Sequence, residues 1–425
     1  MNEKVFSKFF RRNIVLIGFL SMGDKLFFFF EQNYFNTYLD HVLFLPPLYI
    51  SIMVSLSATM GLIMMIVWGI FSDNTRTKFG RRRPYLLFGG IVAGIAMILY
   101  GLSMNYILCL IIDVVIIGLA SNAFLLAERS LIPDTIEVEK RGKANGIINL
   151  ISYIGLIIGV AFLLIGNELF GIPDPRPGPK GTIITQEGHF ILLFVGGFVF
   201  ALVGIIGFIF IKEKPVSEPS ERERFFGNLW KGFKKVEWNS LKEFLKILLA
   251  LLIFQSGIAS IMPFLFVFIF DQGFSTLQLL LGIAFAVPAL IIATIFLGRL
   301  SDKFGRKRFI PISMIIVSIG YLIMPFSSGN YIIFIVGFPF VLVGVLALVV
   351  PLNAWSQDLL PEDLRGTFTG ILNIVNTVSQ IIGSLLAGII ALLFGIQWIF
   401  LLGPVFFIAS IPIFMIVKET VKVEN

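Results

Sequence analysis

The sequence predicts an all-α integral membrane protein with twelve spanning helices, arranged as two pseudo-symmetric bundles of six. Three observations support this fold class: an apolar composition, long uninterrupted apolar runs, and a sequence pattern that recurs in the second half. Of the 425 residues, 57% are hydrophobic and 14% are charged, whereas soluble domains average roughly 45–50% apolar and about 25% charged. A soluble fold would expose this apolar excess to water, so lipid is the better solvent.

The apolar runs set the number of helices. A helix needs about 20 apolar residues to span the hydrocarbon core, at ~1.5 Å per residue. Such runs occur at residues 13–36, 47–71, 85–104, 106–127, 144–167, 189–211, 247–270, 276–299, 309–327, 331–356, 368–393 and 397–417. Because backbone groups in lipid must pair internally, uninterrupted runs of this length indicate helices and exclude the alternating pattern of a barrel.

The basic residues predict the orientation of the chain. The net charge is +7, which could suggest an acidic partner such as nucleic acid. However, Lys and Arg concentrate in alternate loops, and the opposite loops contain only Arg176 and Lys180. By the positive-inside rule both termini are cytoplasmic, so we expect a multi-pass protein of the plasma (inner) membrane and no nucleic-acid partner. The one cysteine, Cys109, excludes a disulfide framework.

A pattern of glycine, aspartate and basic residues occurs twice. Residues 69–83 contain Gly-Ile-Phe-Ser-Asp and then Gly-Arg-Arg-Arg, and residues 298–308 contain Gly-Arg-Leu-Ser-Asp and then Gly-Arg-Lys-Arg. Further on, Arg141-Gly142 recurs as Arg365-Gly366. Six predicted helices separate the equivalent motifs, so the two halves are parallel repeats.

The halves and the segment between them define the predicted domains. Residues 1–211 form the first bundle, 247–425 the second, and 212–246 a cytoplasmic linker. Within the linker, apolar residues recur at helical spacing with lysines between them. This pattern predicts an amphipathic helix on the cytoplasmic leaflet, and a solvated linker is the alternative.

The duplicated loop carries a family resemblance. The pattern G-x-x-x-D-(K/R)-x-G-(R/K)-(R/K)-(R/K), intact at residues 298–308, resembles the signature loop of the major facilitator superfamily. The longer first copy, followed by Pro84-Tyr85, is similar to that of the glycoside–pentoside–hexuronide:cation symporters and the sucrose-transporter-like proteins. The resemblance implies the major facilitator fold and secondary active transport, and not an enzyme.

The same resemblance implies a cytoplasmic gate in these loops. We expect Gly69 and Gly298 to allow a close approach of helices, and Asp73 and Asp302 to face a helix N-terminus or an arginine. The alternative is that the basic residues, Arg82 in particular, serve topology only. The predicted gate residues are Gly69, Asp73, Gly80, Arg81, Arg82, Glu128, Arg129, Arg141, Gly298, Asp302, Gly305, Arg306 and Arg365. Glu128 and Arg129 could form gate ion pairs or be ordinary interfacial residues.

Three charged residues lie deep in predicted helices. Asp24 and Lys25 are near the middle of the first helix, and Asp113 is in the fourth. A charge there costs at least ~2.5–3.5 kcal/mol and normally faces a cavity or a partner. Asp113 is the candidate counter-ion of Lys25. One possibility is a fixed ion pair that links the two helices, and the other is that the carboxylates bind and release a proton or cation. Glu31 would belong to this group of carboxylates or would be an ordinary residue of the outer interface.

Amide and aromatic side chains complete the candidate substrate cavity, because they suit the hydroxyls and C–H faces of sugars. Each of them could instead make a helix–helix hydrogen bond. The predicted coupling and cavity residues are Asp24, Lys25, Glu31, Asn33, Tyr34, Asp113, Asn149, Tyr153, Gln255, Asn353, Trp355, Gln357, Asn373, Asn376 and Gln380.

The absence of certain sequence motifs limits which energy sources could drive transport. No Gly-x-x-x-x-Gly-Lys-(Ser/Thr) phosphate loop occurs, which argues against ATP-driven transport. The second helix has no carboxylate before Asp73, whereas the melibiose-permease branch of the resembling group uses acids there for sodium. We therefore expect no cofactor and no metal site, with H⁺ favoured over Na⁺ as the coupling ion.

The resulting prediction is a proton- or cation-coupled symporter for a sugar, glycoside or similar small polar solute, embedded in the bilayer as a monomer. One alternative is an exporter or carrier of lipid-like solutes with the same fold. Another is a membrane sensor that binds a solute without transporting it; the short soluble segments offer no evident output domain.

Overall fold

The computed structural model describes residues 3–136, 138–176, 181–213, 238–359 and 365–420. These residues form two compact units. Unit 1 contains the described residues of Met1–Leu45, Leu56–Pro173 and Thr182–Pro219, and unit 2 those of Pro46–Ser55, Asp174–Gly181 and Ser220–Asn425. The predicted amphipathic linker helix falls largely on 214–237, outside the described residues.

Six helices, α1 to α6, belong to the first half of the chain. They are α1 (Glu3–Phe29, continued by a π-helical turn Phe30–Tyr34 and by Phe35–His41), α2 (Pro47–Asn74), α3 (Arg83–Tyr100), α4 (Tyr106–Leu110, a π-helical turn Ile111–Ile117, then Gly118–Thr135), α5 (Val138–Phe170) and α6 (Gln186–Phe210). Between α5 and α6 two short strands, β1 (Gly171–Pro173) and β2 (Thr182–Ile184), pair antiparallel, with Ile172 opposite Ile183.

Six further helices, α7 to α12, form the second half. They are α7 (Trp238–Ala259, the 3₁₀ turn Met262–Phe264 and Leu265–Asp271), α8 (Thr276–Phe304), α9 (Arg306–Ile323 and the 3₁₀ turn Met324–Phe326), α10 (Tyr331–Leu342, a π-helical turn Val343–Ala347, then Val349–Asp358), α11 (Arg365–Phe394) and α12 (the 3₁₀ turn Ile396–Leu401, then Leu402–Ile416).

These helices confirm the predicted all-helical membrane fold. Eleven described helices are long and apolar enough to cross a membrane, and Tyr331–Val345 is a shorter apolar helix at the position of the tenth predicted span. That helix continues through its π-helical turn to Asp358. Several helices extend beyond their predicted apolar runs: α1 was expected to end at 36 and reaches His41, and α4 was expected to end at 127 and reaches Thr135.

Glycines set the closest helix contacts within unit 1. A Cβ atom on Gly90 of α3 would lie 2.7 Å from Cα of Gly204 on α6, and one on Gly94 would meet the carbonyl oxygen of Gly197. The backbones of α3 and α6 therefore touch over two turns, as small residues permit in membrane helices. In unit 2 the same device appears between α11 and α7, where Gly383 faces the carbonyl of Ser256.

Candidate functional site

Asp113 is a buried carboxyl group in a membrane-spanning helix of unit 1. It lies in the π-helical turn of α4 and is 3% exposed. Ser57 Oγ on α2 donates a hydrogen bond to Asp113 Oδ2 at 2.5 Å, whereas Asp113 Oδ1 has no hydrogen-bond partner among the described residues. Single π-helical turns within α-helices are frequent at functional sites. One oxygen of this group can therefore take a proton or a cation.

Glu31 lies on the facing helix in a similar local structure. It belongs to the π-helical turn of α1, and α1 packs against α4. The charges that act most strongly on Glu31 are those of Asp113 and Asp24. In the same turn Tyr34 is fully buried, and its hydroxyl has no described hydrogen-bond partner. The two π-helical turns thus bring acidic and polar groups together inside unit 1.

The predicted ion pair between Lys25 and Asp113 is wrong for this structure. Among the described residues, neither Lys25 nor Asp24 has an oppositely charged group within 4.0 Å. The Lys25 ammonium instead lies 5.9 Å from the centre of the Phe28 ring. Asp113 finds its partner on α2, because the Ser57 hydroxyl meets it there. A fixed Lys25–Asp113 link between α1 and α4 is therefore absent from the described structure.

Glu128 is a second buried carboxyl group on α4, on the side predicted to be cytoplasmic. It is 5% exposed and accepts a hydrogen bond from the Ser21 hydroxyl of α1. Burial of this kind contradicts the alternative of an ordinary interfacial residue. Arg129, by contrast, is exposed, and it has no acid within 4.0 Å among the described residues.

Four of the carboxyl groups on α1 and α4 in unit 1, those of Asp24, Glu31, Asp113 and Glu128, therefore have only Lys25 and Arg129 as nearby cations among the described residues. At ~1.5 Å per residue Asp113 and Glu128 are roughly 22 Å apart along α4. A carboxylate in a spanning helix must be neutralised by a proton, a cation or a partner. The arrangement can therefore hold exchangeable positive charge at several depths.

The remaining cavity candidates divide by exposure. Partly exposed are Asn33, Gln255, Asn373 and Gln380, and exposed are Asn149, Tyr153, Asn353, Gln357 and Asn376. Asn33 donates a hydrogen bond to the Phe29 carbonyl one turn earlier. For Trp355 the prediction is wrong. This residue is fully buried in unit 2, its indole N–H donates to the Lys418 carbonyl at 3.0 Å, and its ring stacks on Phe414.

In unit 1 the predicted gate arginines are held by acids and helix ends. Arg82 is 5% exposed; its Nε donates to Asp134 at 3.0 Å and its Nη1 to Ser72 at 2.5 Å. Arg81 also pairs with Asp134, at 2.7 Å. Buried charges need such partners, so the alternative that Arg82 serves topology only is wrong. Arg141 donates to carbonyl oxygens at the end of α4, those of Pro133 and Ile136.

A carboxylate covers the N-terminus of α3. Glu213, which follows α6, accepts hydrogen bonds from the backbone N–H groups of Arg81, Arg82 and Arg83 at 2.6, 2.8 and 2.9 Å. Unpaired N–H groups and the helix dipole both favour a negative charge there. Gly80 allows the approach, because its φ is +110° and a Cβ atom would lie 2.7 Å from the Glu213 carboxylate.

Unit 2 repeats this arrangement, which we term the clasp. In each unit an arginine at the start of α3 or α9 pairs with an acid near the end of α4 or α10, and a carboxylate that follows α6 or α12 accepts N–H groups at the same start of α3 or α9. Arg306 is 7% exposed and its Nη1 donates to Asp358 on α10 at 2.6 Å. Glu419 accepts from the backbone N–H of Lys307 at 2.8 Å. Gly305 again has a positive φ, +86°.

The structure shows no close helix approach at the two predicted gate glycines. Among the described residues, a Cβ atom on Gly69 or on Gly298 would meet no atom within 4 Å. Both lie near helix ends, and Ile70, next to Gly69, is 57% exposed. The side chains of Asp73, Asp302 and Arg365 lie outside the described set.

Sequence reasoning missed the residues that hold the site in place. Ser57, Ser21, Asp134, Asp358 and Glu213 were not among the predicted site residues, yet each contacts one. Glu419, also not predicted, contacts Lys307, the neighbour of the predicted Arg306. Only the repeat could have indicated Glu213 and Glu419, since each of them follows the last helix of its half.

Among the described residues no group of three or more His, Cys, Asp or Glu could hold a metal ion.

Comparisons with known proteins agree with this architecture. The sequence profile of the Major Facilitator Superfamily matches residues 14–294 and 278–425. Multidrug resistance protein MdtG of Proteus mirabilis is 32% identical over 38% of this chain and 39% of its own length. The multi-drug resistance efflux pump PmrA of Streptococcus pneumoniae is 26% identical over 74% of this chain and 72% of its own length. Sucrose transport protein SUC3 of Arabidopsis thaliana is 31% identical over 23% of this chain and 20% of its own length.

Solved structures share the fold. A mutant of the nucleoside transporter NupG superposes with a TM-score of 0.71 at 11% identity, covering 95% of this chain and 99% of that one. A bacterial homolog of the human lysosomal transporter Spinster has a TM-score of 0.70 at 13% identity, covering 98% of both chains. Identities this low support the fold alone.

Proposed function

The chain belongs to the Major Facilitator Superfamily, and from this membership we propose that it is a secondary active transporter in which exchange of a proton or cation at Asp113 is coupled to the movement of a small solute. The proposal combines a fold that its relatives use for transport with an acidic site that lies wholly within unit 1.

The carboxyl group of Asp113 is the observation that carries the coupling proposal. It is buried in a spanning helix, it has no cation within 4.0 Å among the described residues, and one of its oxygens has no described hydrogen-bond partner. Leaving a bare carboxylate there is costly. A proton or a monovalent cation on Oδ1 removes that cost, and its release would restore it. Glu31, within electrostatic range, would respond to the change of charge.

A sugar or similar small polar solute is our first candidate substrate, and symport with the coupling ion is the proposed mode of transport. The proposal is supported by the resemblance of the long first loop and by the partial match to SUC3. A general alpha-glucoside permease of Schizosaccharomyces pombe is also 25% identical over 24% of this chain. The exposed amides and the Tyr153 ring supply the hydrogen-bonding and aromatic surfaces that suit sugars.

Export of an amphipathic solute is the second candidate, and the extent of the matches favours it. The match to PmrA covers 74% of this chain, about three times the share covered by SUC3. Acidic groups inside unit 1 would also attract an organic cation. In an exporter of this kind, inward proton movement at Asp113 would drive the solute outward.

The coupling proposal is tested by Asp113→Asn, which keeps the shape of the side chain and its hydrogen bond to Ser57 but removes the titrating group. We expect purified protein in proteoliposomes to lose gradient-driven accumulation while substrate exchange across the membrane at equilibrium persists. Glu168→Gln, an exposed acid of α5 in the same unit, is the matched control and should behave as wild type. Asp24→Asn is measured alongside. Gradient-driven accumulation at the wild-type level in both aspartate variants would refute coupling at this cluster.

The two substrate candidates are separated by the same vesicles. Acid-stimulated uptake of radiolabelled sucrose or glucosides supports symport. Proton-gradient-dependent extrusion of ethidium, with no sugar uptake, supports export and refutes the symport proposal. Binding of either compound without counterflow would instead identify a sensor.

A further inference from the structure

A cavity of about 470 Å³ lies at the end of unit 1 that is predicted to be cytoplasmic. It is formed by the loop between α2 and α3, the start of α3 and the residues that follow α6. Five of its lining residues are basic and one is acidic: Arg76, Lys78, Arg81, Arg83, Lys212 and Glu213. The cavity is large enough for a small polar group of a ligand.

The one acid of the cavity is already engaged. Both oxygens of Glu213 accept N–H groups at the start of α3. Of the cations, Arg81 binds Asp134, and Arg83 donates to the Phe208 carbonyl at 2.5 Å. Lys78 and Lys212, by contrast, have no acid within 4.0 Å among the described residues. The cavity therefore carries an excess of positive charge that an anion would balance.

An apolar surface adjoins this positive charge. Phe79 lines the cavity, is 43% exposed, and lies 5.2 Å from the Phe208 ring. The neighbouring ends of α2 and α6 expose Phe71 at 57% and Phe210 at 48%. Aromatic and apolar side chains beside lysines and arginines are typical of the membrane–water interface. A ligand that is anionic at one end and apolar at the other fits both surfaces, whereas a free anion uses only the cavity.

The second loop provides a comparison within the same molecule. Six residues separate Asp73 from Gly80, but only two separate Asp302 from Gly305. The shorter loop keeps a lysine over the following phenylalanine, with Lys303 5.4 Å from the Phe304 ring centre, as Lys78 is 5.1 Å from that of Phe79. It has no residue equivalent to Arg76. The longer first loop is therefore what adds a cation and builds the wall of the cavity.

We propose that this cavity binds the phosphate group of an anionic phospholipid from the adjacent leaflet, with the acyl chains lying along the exposed phenylalanines. Basic pockets at the cytoplasmic side of membrane helices recognise such headgroups by charge. A bound lipid would join the α2–α3 loop to the end of α6 through its phosphate, in addition to the protein contact made by Glu213. The site is distinct from Asp113 and from the transported solute.

The test uses the purified full chain in mild detergent and native mass spectrometry with palmitoyl-oleoyl phosphatidylglycerol or phosphatidylcholine. We expect selective retention of the phosphatidylglycerol, reduced roughly tenfold or more by the triple substitution Arg76→Gln, Lys78→Gln and Lys212→Gln. The control triple, Lys303→Gln, Lys307→Gln and Arg308→Gln, removes the same charge from the second loop and should retain the lipid as wild type does.

Three results would overturn the proposal: equal retention of the two lipids by wild type, unchanged retention in the first triple variant, or equal losses in both triples. Thermal stabilisation by millimolar inorganic phosphate or glycerol 1-phosphate to the same extent as by the lipid would overturn the lipid assignment and identify a soluble phosphate compound as the ligand. If the first triple does not give monodisperse protein, the single variants Lys78→Gln and Lys212→Gln, both at exposed positions, replace it, with a smaller loss expected from each.

Discussion

Replacing Glu213 by glutamine removes a negative charge from the N-terminus of α3 while keeping the size of the side chain. In the structure Glu213 Oε2 accepts the N–H of Arg81 at 2.6 Å, and Oε1 accepts those of Arg82 and Arg83 at 2.8 and 2.9 Å. Glutamine has one acceptor oxygen and one NH₂ group. Its oxygen can therefore accept the N–H groups of Arg82 and Arg83 as Oε1 does. Its NH₂ group would then face the N–H of Arg81, and two donors cannot form a hydrogen bond.

The magnitude follows from the bond that is lost. A hydrogen bond to a charged acceptor contributes about 1.5–3 kcal/mol net, and the loss of a capping side chain costs about 0.5–2 kcal/mol. Because Glu213 is partly exposed, screening favours the lower part of the first range. We expect local stability at the start of α3 to fall by about 2 kcal/mol, which corresponds to roughly 30-fold faster opening at 1.4 kcal/mol per tenfold.

Amide hydrogen exchange of the peptide that covers residues 79–86 measures this opening directly, in detergent and with the wild type alongside. Glu419→Gln is the matched variant, since it should speed exchange around Lys307 at the start of α9 and leave residues 81–83 unchanged. Exchange at 81–83 within about threefold of wild type in Glu213→Gln would refute the idea that this carboxylate stabilises the helix start. An equal acceleration at both helix starts in either variant would refute the expectation that each acid stabilises only the helix start it contacts.

Two further predictions concern packing. Gly90→Leu should abolish monodisperse expression, because even a Cβ atom at Gly90 would lie 2.7 Å from Cα of Gly204. Gly146→Leu should be tolerated, because a Cβ atom there would meet no atom of the described residues within 4 Å. Fluorescence-detected gel filtration compares the two variants. Trp355→Phe should lower the free energy of unfolding by about 1–3 kcal/mol, because it loses the hydrogen bond to the Lys418 carbonyl and leaves space in the core. Transport kinetics should stay unchanged. A large rise in KM in that variant would place Trp355 in the substrate path after all.

Local signals in the sequence were sufficient to predict the spanning helices and to locate the prolines and glycines with particular backbone conformations. Runs of about 20 apolar residues identify a spanning helix regardless of what surrounds it. Pro84 lies in the first turn of α3, because proline suits a position whose N–H is not needed. Gly80 and Gly305, found at the same place in both loops, each have the positive φ that glycine accommodates best.

The outer end of α1 shows where hydropathy alone fails. Thr37, Asp40 and His41 are polar, so the apolar run ended before them, yet all three are buried and helical. The Thr37 hydroxyl contacts Nε2 of His189 on α6 at 3.1 Å, and Nδ1 of His41 accepts the backbone N–H of Ile184 in β2 at 3.1 Å. Buried polar groups are tolerated when partners are present. Those partners lie 152 and 143 residues further along the chain, so no local pattern reveals them.

The same limit applies to the candidate site. Asp24, Glu31 and Asp113 could be singled out because charge is costly in lipid. The partner of Asp113 could not, since Ser57 is one of many serines in spanning helices and only the packing of α2 on α4 selects it. The expected partner, Lys25, was chosen by charge alone. The partner of Asp113 in the structure is the Ser57 hydroxyl and not the Lys25 ammonium.

The duplicated chain makes the position of Asp113 informative. Asn105 caps the start of α4 and Asn330 caps the start of α10, each followed by a tyrosine, so the two helices can be aligned on their caps. On that alignment the position of Asp113 corresponds to Phe338, which is buried and stacked on Phe334. The clasps, by contrast, retain their acids and arginines in both units. If this position served packing only, an apolar side chain would suffice in both helices, as Phe338 does in α10. A carboxyl group at this position of α4, where α10 has an apolar side chain, therefore supports the proposal that unit 1 carries the coupling chemistry and that the repeated scaffold does not require it.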